Sequence, residues 1–348
     1  MDQPFVTGRI ENPLGEVPQV SSELTGVDRW GAIKARWGVG RMDFTVDPGL
    51  YALGHPDEGS PVLATANYKL SFDALRRALP GQAAWILVLD TRGINVWCAA
   101  GKGTFGTEEL IGRIQSSGLE RAVKHRKIIL PQLSGPGVAA HQVKKLSGFQ
   151  AVYGPVRARD LPAYLSAGCR ATPEMRRKTF TLRERAVLIP VELVQALKPA
   201  LAVMAAFFLL SGFGGAAGYW ANLRDQGPWS ILAILSALLA GAVLTPLLLP
   251  WVPGRAFSFK GWILGLVSVW GIILGKGYFS DQGFKPLEGL AWLLLMPAIS
   301  AYLAMNFTGA STYTSLSGVK KEMRWAVPLE IALGAAGLIL WIGTRFTI

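Results

Sequence analysis

The sequence predicts an α/β domain with a mostly parallel sheet, followed by an all-α transmembrane domain of about five helices. Two observations along the 348 residues support this fold class. Short apolar runs alternate with amphipathic segments up to about residue 169, which is typical of strands alternating with helices. From about residue 199 onwards the apolar sequence is nearly continuous, in segments of roughly the length that crosses a bilayer.

Four regions follow from these observations. Residues 1–61 are rich in glycine, proline and charged residues, and we interpret them as an extended, wrapping segment with a short hairpin around Trp37–Val46. The α/β domain occupies residues 62–169, a basic linker occupies 170–198, and the transmembrane domain occupies 199–348. The first residues lack a basic stretch followed by an apolar run, so we expect no cleaved signal peptide.

The elements of the α/β domain are predicted to alternate along the chain. The predicted strands are Val62–Thr65, Trp85–Leu89, Ile128–Leu130 and Gln150–Tyr153. The predicted helices are Phe72–Leu79, Thr107–Ser116, Val138–Leu146 and Arg159–Ala167. Because strands connected in this way run parallel, their carboxyl ends should share one edge of the sheet, where open α/β sheets bind ligands.

The second half of the chain contains five long apolar segments. The predicted spans are Pro199–Trp220, Trp229–Leu249, Gly261–Phe279, Leu290–Phe307 and Ala326–Ile342. The third span crosses the bilayer only if Lys276 snorkels towards the interface. Basic residues of the linker and of the loops at Arg255 and Lys320 fall on one side of the membrane. This predicts a multi-pass protein of the cytoplasmic (inner) membrane, with the α/β domain in the cytoplasm.

Glu330 lies within the fifth predicted span. An acid inside a membrane segment is a functional candidate by default. Because Glu330 is close to the cytoplasmic end of that span, we interpret it instead as an interfacial or hydrogen-bonded structural acid.

The charge and the cysteine content exclude several functions. The net charge of +12 is explained by basic clusters beside the spans, which favour anionic membrane lipid, so we expect no nucleic-acid partner. The two cysteines, Cys98 and Cys169, form no CxxC, ferredoxin or zinc pattern, so the chain should carry no iron–sulfur cluster of its own. We interpret Cys169 as a structural residue near the domain junction.

Cys98 follows a predicted strand and its turn. Asn95 should cap a short helix there, which places Cys98 in the first turns of that helix at the carboxyl end of the strand. The small residues Ala99, Ala100 and Gly101 allow the helix backbone to approach a flat partner. A lone cysteine in an apolar run is usually a small buried hydrophobe, whereas a thiolate in this position can ligate a soft metal centre. Spacing alone leaves both readings open.

A phosphate-binding loop is excluded for this stretch. Val96 and Gly103 stand where that motif needs a glycine and a Ser or Thr.

Several segments together resemble one known family. Asn95–Lys102, with Asp90 and Thr91 before it, resembles the cap-helix signature of the mercury-methylating corrinoid proteins. The flanking segments Thr65–Phe72, Pro131–Gly135 and Ala151–Val156 also resemble that family, and more loosely the corrinoid-binding domain of the corrinoid iron–sulfur proteins of acetyl-CoA synthesis. The resemblance covers Val62–Leu165 in detail and the membrane domain in outline, and it implies a Rossmann-like corrinoid-binding fold.

The resemblance implies that the cofactor is cobalamin or a related corrinoid, with its nucleotide tail in the crevice of the sheet. The chain lacks the Asp-x-His-x-x-Gly motif of other corrinoid carriers, so we expect the Cys98 thiolate to be the lower ligand of cobalt and the catalytic residue. The other cofactor-binding residues expected are Thr65, Asn67, Asp90, Thr91, Asn95, Val96, Trp97, Ala99, Ala100, Gly101, Lys102, Gln132, Gly135, Gly137 and Gly154.

A thiolate ligand also suggests a reaction. It is a strong electron donor and therefore favours transfer of a methyl group as a carbanion equivalent, which the soft electrophile Hg(II) accepts. The resemblance implies a corrinoid-dependent methyltransferase that forms methylmercury, and this chemistry agrees with it. The resemblance further implies a small ferredoxin with two four-iron clusters as the reductant and a methylated pterin as the methyl donor.

Two other functions remain open. The first is a membrane-anchored corrinoid methyl carrier for another acceptor, of the acetyl-CoA-pathway type, although its usual iron–sulfur module is missing here. The second is a transporter with a cytoplasmic regulatory domain. A mercury transporter should place cysteine pairs in or beside its spans, and the predicted spans contain none.

Overall fold

The chain divides into two compact units, Met1–Thr179 and Phe180–Ile348. The structure is a computed structural model that describes residues 3–12, 15–214, 217–279, 284–311 and 316–346. The predicted fold class is confirmed, since the first unit is an α/β domain with a mostly parallel sheet and the second is helical.

The first unit is built on one seven-stranded mixed sheet with the spatial order β1-β2-β3-β5-β4-β6-β7. The strands are β1 Val6–Asn12, β2 Gly15–Val20, β3 Gly49–Leu53, β4 Val62–Ala66, β5 Ala84–Leu89, β6 Lys127–Leu130 and β7 Gln150–Tyr153. β4 is parallel to both β5 and β6, and β6 is parallel to β7. β3 runs antiparallel to β5. Because β4 to β7 are parallel to one another, their carboxyl ends share one edge of the sheet.

Helices cover both faces of this sheet. They are α1 Gly26–Arg36, α2 Lys69–Arg77, α3 Val96–Lys102, α4 Thr107–Ser116, α5 Leu119–Ala122, α6 Ala140–Ser147 and α7 Leu161–Ser166. In β5, Leu87 and Leu89 pack in the core shared with α3 to α6, whereas Ile86 and Val88 pack in the core shared with α2 and α7. Burial on both faces explains why this strand reads as an unbroken apolar run.

The amino-terminal region differs from the prediction of an extended, wrapping segment. It contributes β1, β2, α1 and β3 to the first unit. The hairpin lies between Val6 and Val20 and not at Trp37–Val46, where the structure has turns and a single bridge from Thr45 to Tyr68. β1 and β2 lie at the edge of the sheet and carry exposed charged residues, so they lack the apolar runs that mark the central strands.

The second unit contains five helices long and apolar enough to cross a membrane, as predicted. Its helices are α8 Leu182–Ala186, α9 Ile189–Leu210, α10 Tyr219–Leu239, α11 Thr245–Leu248, α12 Phe257–Phe279, α13 Pro286–Asn306 and α14 Leu316–Phe346. A π-helical turn at Ala240–Leu244 joins α10 to α11. The first predicted span, Pro199–Trp220, was set too far along the chain, because α9 ends at Leu210 and Trp220 already belongs to α10.

Small residues hold α12 close to α13. A Cβ on Gly261 would lie 2.6 Å from the Ser300 carbonyl oxygen, and a Cβ on Gly265 would lie 2.6 Å from the Cα of Pro297. This four-residue glycine spacing is typical of closely packed membrane helices. The Ser300 hydroxyl also donates to the Gly261 carbonyl at 2.7 Å.

The structure bears on two expectations about charged residues in the predicted spans. Lys276 does not snorkel: it is fully buried, donates to the side-chain carbonyl of Gln226, and lies 3.7 Å from Glu288. For Glu330 the hydrogen-bonded alternative is wrong, because neither of its carboxylate oxygens has a partner among the described residues, whereas the interfacial alternative stays a prediction.

Candidate functional site

One buried side chain fixes the turn after β5. Asn67 directly follows β4, and its Oδ1 accepts hydrogen bonds from the backbone N–H of Thr91 at 3.1 Å and of Gly93 at 3.0 Å. The Asn67 N–H donates in turn to the carbonyl of Leu89 at 3.0 Å. Gly93 adopts a left-handed φ of 69°, which glycine takes without steric cost. These bonds tie the carboxyl ends of β4 and β5 together and set where α3 begins.

α3 is held at both of its ends. The Asn95 side chain accepts a hydrogen bond from the Cys98 N–H at 3.0 Å, which is the N-cap that the sequence predicted. The helix closes at Gly103, whose φ of 82° is left-handed. A seven-residue helix is too short to persist alone in water, so α3 relies on these caps and on packing.

Cys98 lies on the accessible side of α3. Ala99 and Ala100 are buried in the core, whereas Gly101 and Lys102 are exposed and Cys98 is partly buried. Positions 98, 101 and 102 share one helix face. Gly101 presents no side chain there, and no atom lies within 4 Å of the place that its Cβ would take. A flat group can therefore approach the thiol across this face.

The loop after β6 packs directly on α3. A Cβ on Gly137 would lie 3.0 Å from the Cα of Ala100 and 2.2 Å from the carbonyl oxygen of Phe105, so glycine is required at this position. The Tyr153 hydroxyl donates to the carbonyl of Val138 at the end of the loop. Burial raises the pKa of Tyr153, which keeps this phenol a neutral donor. The loop and the helix are thus packed as one body.

A cavity of about 180 Å³ opens beside the first turn of α3. It lies between the carboxyl ends of β4 and β6, which are neighbours in the sheet. The helix after β4 packs on one face of the sheet and the helix after β6 on the other. Such a switch point is where open α/β sheets bind ligands. The walls are mostly apolar and include Thr65, Ser71, Val96, Leu133 and Pro155.

The structure brings the predicted site residues to this one edge but gives them different surroundings. Thr65 and Val96 line the cavity, whereas Asn67 and Thr91 are taken up by the turn after β5. The side-chain carbonyl of Gln132 accepts a hydrogen bond from Arg176 at 2.6 Å. The remaining predicted residues, Asp90, Trp97, Gly135 and Gly154, do not line the cavity.

Sequence reasoning missed one positioning residue. Glu109 in α4 accepts a hydrogen bond from the Asp90 N–H at 2.8 Å and from Arg113 at 2.8 Å. In the sequence, Glu109 is recognisable only as an acidic residue near the start of a predicted helix, a position that the helix dipole explains. The contact with Asp90, 19 positions away, requires the fold.

The other cysteine lies apart from this arrangement. Both thiols are free, and Cys169 packs partly buried against the core shared with α2 and α7. Over the part of the chain that the structure describes, no three His, Cys, Asp or Glu side chains gather as ligands for one metal ion.

These features coincide with a known family domain. Residues 39–165 match the sequence model of the family described as the CO dehydrogenase/acetyl-CoA synthase delta subunit. The match includes β3 to β7, the cap helix α3 and the cavity. The first unit therefore contains a domain homologous to subunits of corrinoid and iron–sulfur protein systems.

Curated relatives agree with this assignment. The chain is 33% identical over 123 residues to the acetyl-CoA decarbonylase/synthase complex subunit gamma of Methanopyrus kandleri, covering 34% of this chain and 26% of that protein. It is 27% identical over 129 residues to the corrinoid/iron-sulfur protein large subunit of Moorella thermoacetica, covering 36% and 28%. The chain thus spans about a quarter of the length of these relatives.

Proposed function

We propose that the first unit binds a corrinoid at the carboxyl edge of its sheet and that the chain is a membrane-bound methyltransferase acting on Hg(II). The observation that carries the proposal is Cys98, which stands on the accessible face of α3 within the domain homologous to corrinoid protein subunits. The partly buried thiol beside the exposed Gly101 supports this proposal, because a flat cofactor would need an accessible soft ligand.

The residues present fit such a cofactor. Cys98 would hold the cobalt of the corrinoid through its thiolate, and the bare backbone at Gly101 leaves room for the macrocycle. The cavity walled by Thr65 and Val96 would take part of the nucleotide tail, since it opens beside the first turn of α3. The loop ending at Gly137 would hold α3 in place from the opposite side.

A bound corrinoid would supply a methyl group on cobalt. The Cys98 thiolate is a strong electron donor, and as a ligand it would favour transfer of that methyl group as a carbanion equivalent. Hg(II) is the substrate because it is a soft electrophile that accepts such a group, releasing a thiolate that it carried.

Turnover would depend on partners. A corrinoid that gives up its methyl group as a carbanion equivalent would need a reductant before it accepts another. This chain has no cluster motif, so a small ferredoxin with two four-iron clusters would supply the electrons. A methylated pterin would supply the next methyl group. The second unit would hold the chain in the inner membrane, with the first unit in the cytoplasm.

A second function is favoured by the names of the relatives. The curated proteins matched here are subunits of acetyl-CoA decarbonylase/synthase complexes and a corrinoid/iron-sulfur protein. A membrane-bound methyl carrier for another acceptor would share the cofactor and the cavity. It would not need a strong thiolate donor, so Cys98 distinguishes the two functions.

The test is an anaerobic single turnover. The full chain is loaded with methylcobalamin, mixed with Hg(II)-thiolate, and assayed for methylmercury while the absorption spectrum of the corrinoid is recorded. We expect product from the wild type and from Cys169→Ala, the matched control. Cys98→Ala should lose both the product and the thiolate-dependent spectrum.

Other outcomes separate the alternatives. Bound corrinoid with no methylmercury would favour the carrier function. Methylmercury formation that is unchanged in Cys98→Ala would contradict the role of the thiolate. If no corrinoid were bound, Cys98 would be interpreted as an ordinary partly buried thiol.

A further inference from the structure

Glu330 lies near the middle of α14 and is a buried acid without a hydrogen-bond partner among the described residues. Only 9% of its surface is exposed. Neither carboxylate oxygen has a hydrogen-bond partner among the described residues. By contrast, Glu322 in the same helix accepts a hydrogen bond from the Ser258 N–H at 2.7 Å. The absence of a partner is therefore specific to Glu330 and is not a general property of acids in α14.

Two cavities have Glu330 in their walls. The larger, of about 410 Å³, lies among α9, α10, α13 and α14, and includes Pro199, Tyr302 and Gly334 in its walls. The smaller, of about 210 Å³, lies among α12, α13 and α14. Glu330 and the small residue Ala298 line both. The larger cavity falls within the range of about 300–1,000 Å³ that is usual for small-molecule sites.

The residues that line these cavities indicate the class of ligand that would fit. Apart from Glu330, the larger cavity is lined by aliphatic side chains and one tyrosine. A carboxyl group buried without a hydrogen bond is costly, so native proteins rarely keep one. A ligand with an apolar body would fill the cavity, and a single donor group on that body would satisfy the carboxyl oxygens.

We propose that the two cavities that share Glu330 in their walls bind a lipophilic molecule that carries one cationic or hydrogen-bond-donating group. A long-chain amine is the simplest molecule of this class. The carboxyl group would recognise the polar head, and the apolar walls of the two cavities would enclose the chain. This site lies in the second unit and is independent of the corrinoid site.

The full chain in lipid nanodiscs provides the test. Dicyclohexylcarbodiimide is apolar and modifies carboxyl groups that are shielded from water, and mass spectrometry locates the adduct. We expect one adduct at Glu330, retained in the matched control Glu322→Gln and lost in Glu330→Gln. Dodecylamine should slow the labelling of Glu330 by about tenfold at saturating concentration, whereas dodecane of the same chain length should not.

A second variant leaves the carboxyl group in place. Gly334 lines the larger cavity, and no atom lies within 4 Å of the place that its Cβ would take. Gly334→Leu should therefore fill the cavity and slow labelling of the intact Glu330. Equal slowing by dodecane and dodecylamine would show an apolar void without polar recognition and would overturn the proposal. Failure to label Glu330, or full labelling in Gly334→Leu, would also overturn it.

Discussion

The buried carboxylates Asp28 and Asp73 of the first unit and Glu330 of the second unit have opposite surroundings. In the first unit, Lys69 donates to Asp28 at 2.7 Å and to Asp73 at 2.6 Å. Arg76 donates to the same two carboxylates, at 2.8 Å each. Arg76 also donates to the backbone carbonyls of Ser21 and Glu23, both at 2.8 Å. Two acids and two bases thus neutralise one another and join α1 to α2.

The second unit holds Glu330 in apolar surroundings with no such partner among the described residues. Elsewhere in the second unit, buried Lys276 and Arg345 pair with Glu288, so the contrast concerns Glu330 itself. The difference separates two uses of buried charge. A satisfied network stabilises one arrangement of elements, because removing any member leaves a buried charge unpaired. An unsatisfied group between cavities stabilises nothing in the free protein, so it is explained better by a ligand.

The largest expected effect comes from breaking the network. Arg76→Met should destabilise the first unit by about 3–5 kcal/mol, because Asp28 and Asp73 lose a buried cation. Pulse proteolysis in urea, with the fragments of residues 1–179 identified by mass spectrometry, measures the shift. Arg77→Met changes the exposed neighbour and serves as the control. Equal midpoints for the two variants would show that the network contributes little.

Low pH should weaken the same network by protonating Asp28. Burial by itself would raise the pKa of Asp28, but hydrogen bonds from Lys69, Thr25 and Arg76 hold that pKa below its ordinary value. A lowered folded-state pKa contributes stability above the unfolded value of about 3.9, and this contribution is lost as the pH falls below that value. The loss should be smaller than in Arg76→Met because only one group is neutralised.

Pepsin cleavage of residues 1–53 between pH 5 and pH 2 should follow this loss. Asp28→Asn removes the titrating group, so its cleavage should depend less on pH across the same range. An identical pH profile for the wild type and the variant would assign the acid sensitivity to other groups.

The same kind of substitution should act in the opposite sense in the second unit. Glu330→Met replaces an unsatisfied buried carboxyl with an apolar chain of similar size, and should raise stability by about 1–3 kcal/mol. Thermal unfolding in detergent without added amine measures the change. A decrease of similar size would show that Glu330 has a stabilising partner in the free protein.

The central strands could be predicted because their signal is local. Val62–Ala66 and Ala84–Leu89 are buried on both faces of the sheet, and this burial demands unbroken apolar runs. The cap at Asn95 was predictable for the same reason, since the donor lies three residues away. Long apolar segments likewise predicted the five helices that are long and apolar enough to cross a membrane, although not the exact ends of α9.

The features that were missed depend on pairs distant in the chain. Lys69 and Asp28 lie 41 positions apart, and no local pattern connects them. The edge strands β1 and β2 carry charges such as Arg9 and Glu16, which pair across the hairpin on an exposed surface. The sequence of such strands has no apolar run, so it predicts a loop unless the neighbouring sheet is known. The absence of a partner for Glu330 is also a property of the packed helices and not of the sequence.

The smallest expected effect tests how α3 itself is held. Asn95→Ala removes a single N-cap and should cost about 1 kcal/mol, compared with the larger loss on breaking the network of Arg76. The Cys98 amide, which donates to the Asn95 side chain, should then exchange its hydrogen about fivefold faster. Asn95→Ser keeps a capping oxygen and should restore both slow exchange and corrinoid binding. If Asn95→Ser restored slow exchange while corrinoid binding stayed weak, Asn95 would contact the cofactor directly in addition to capping the helix.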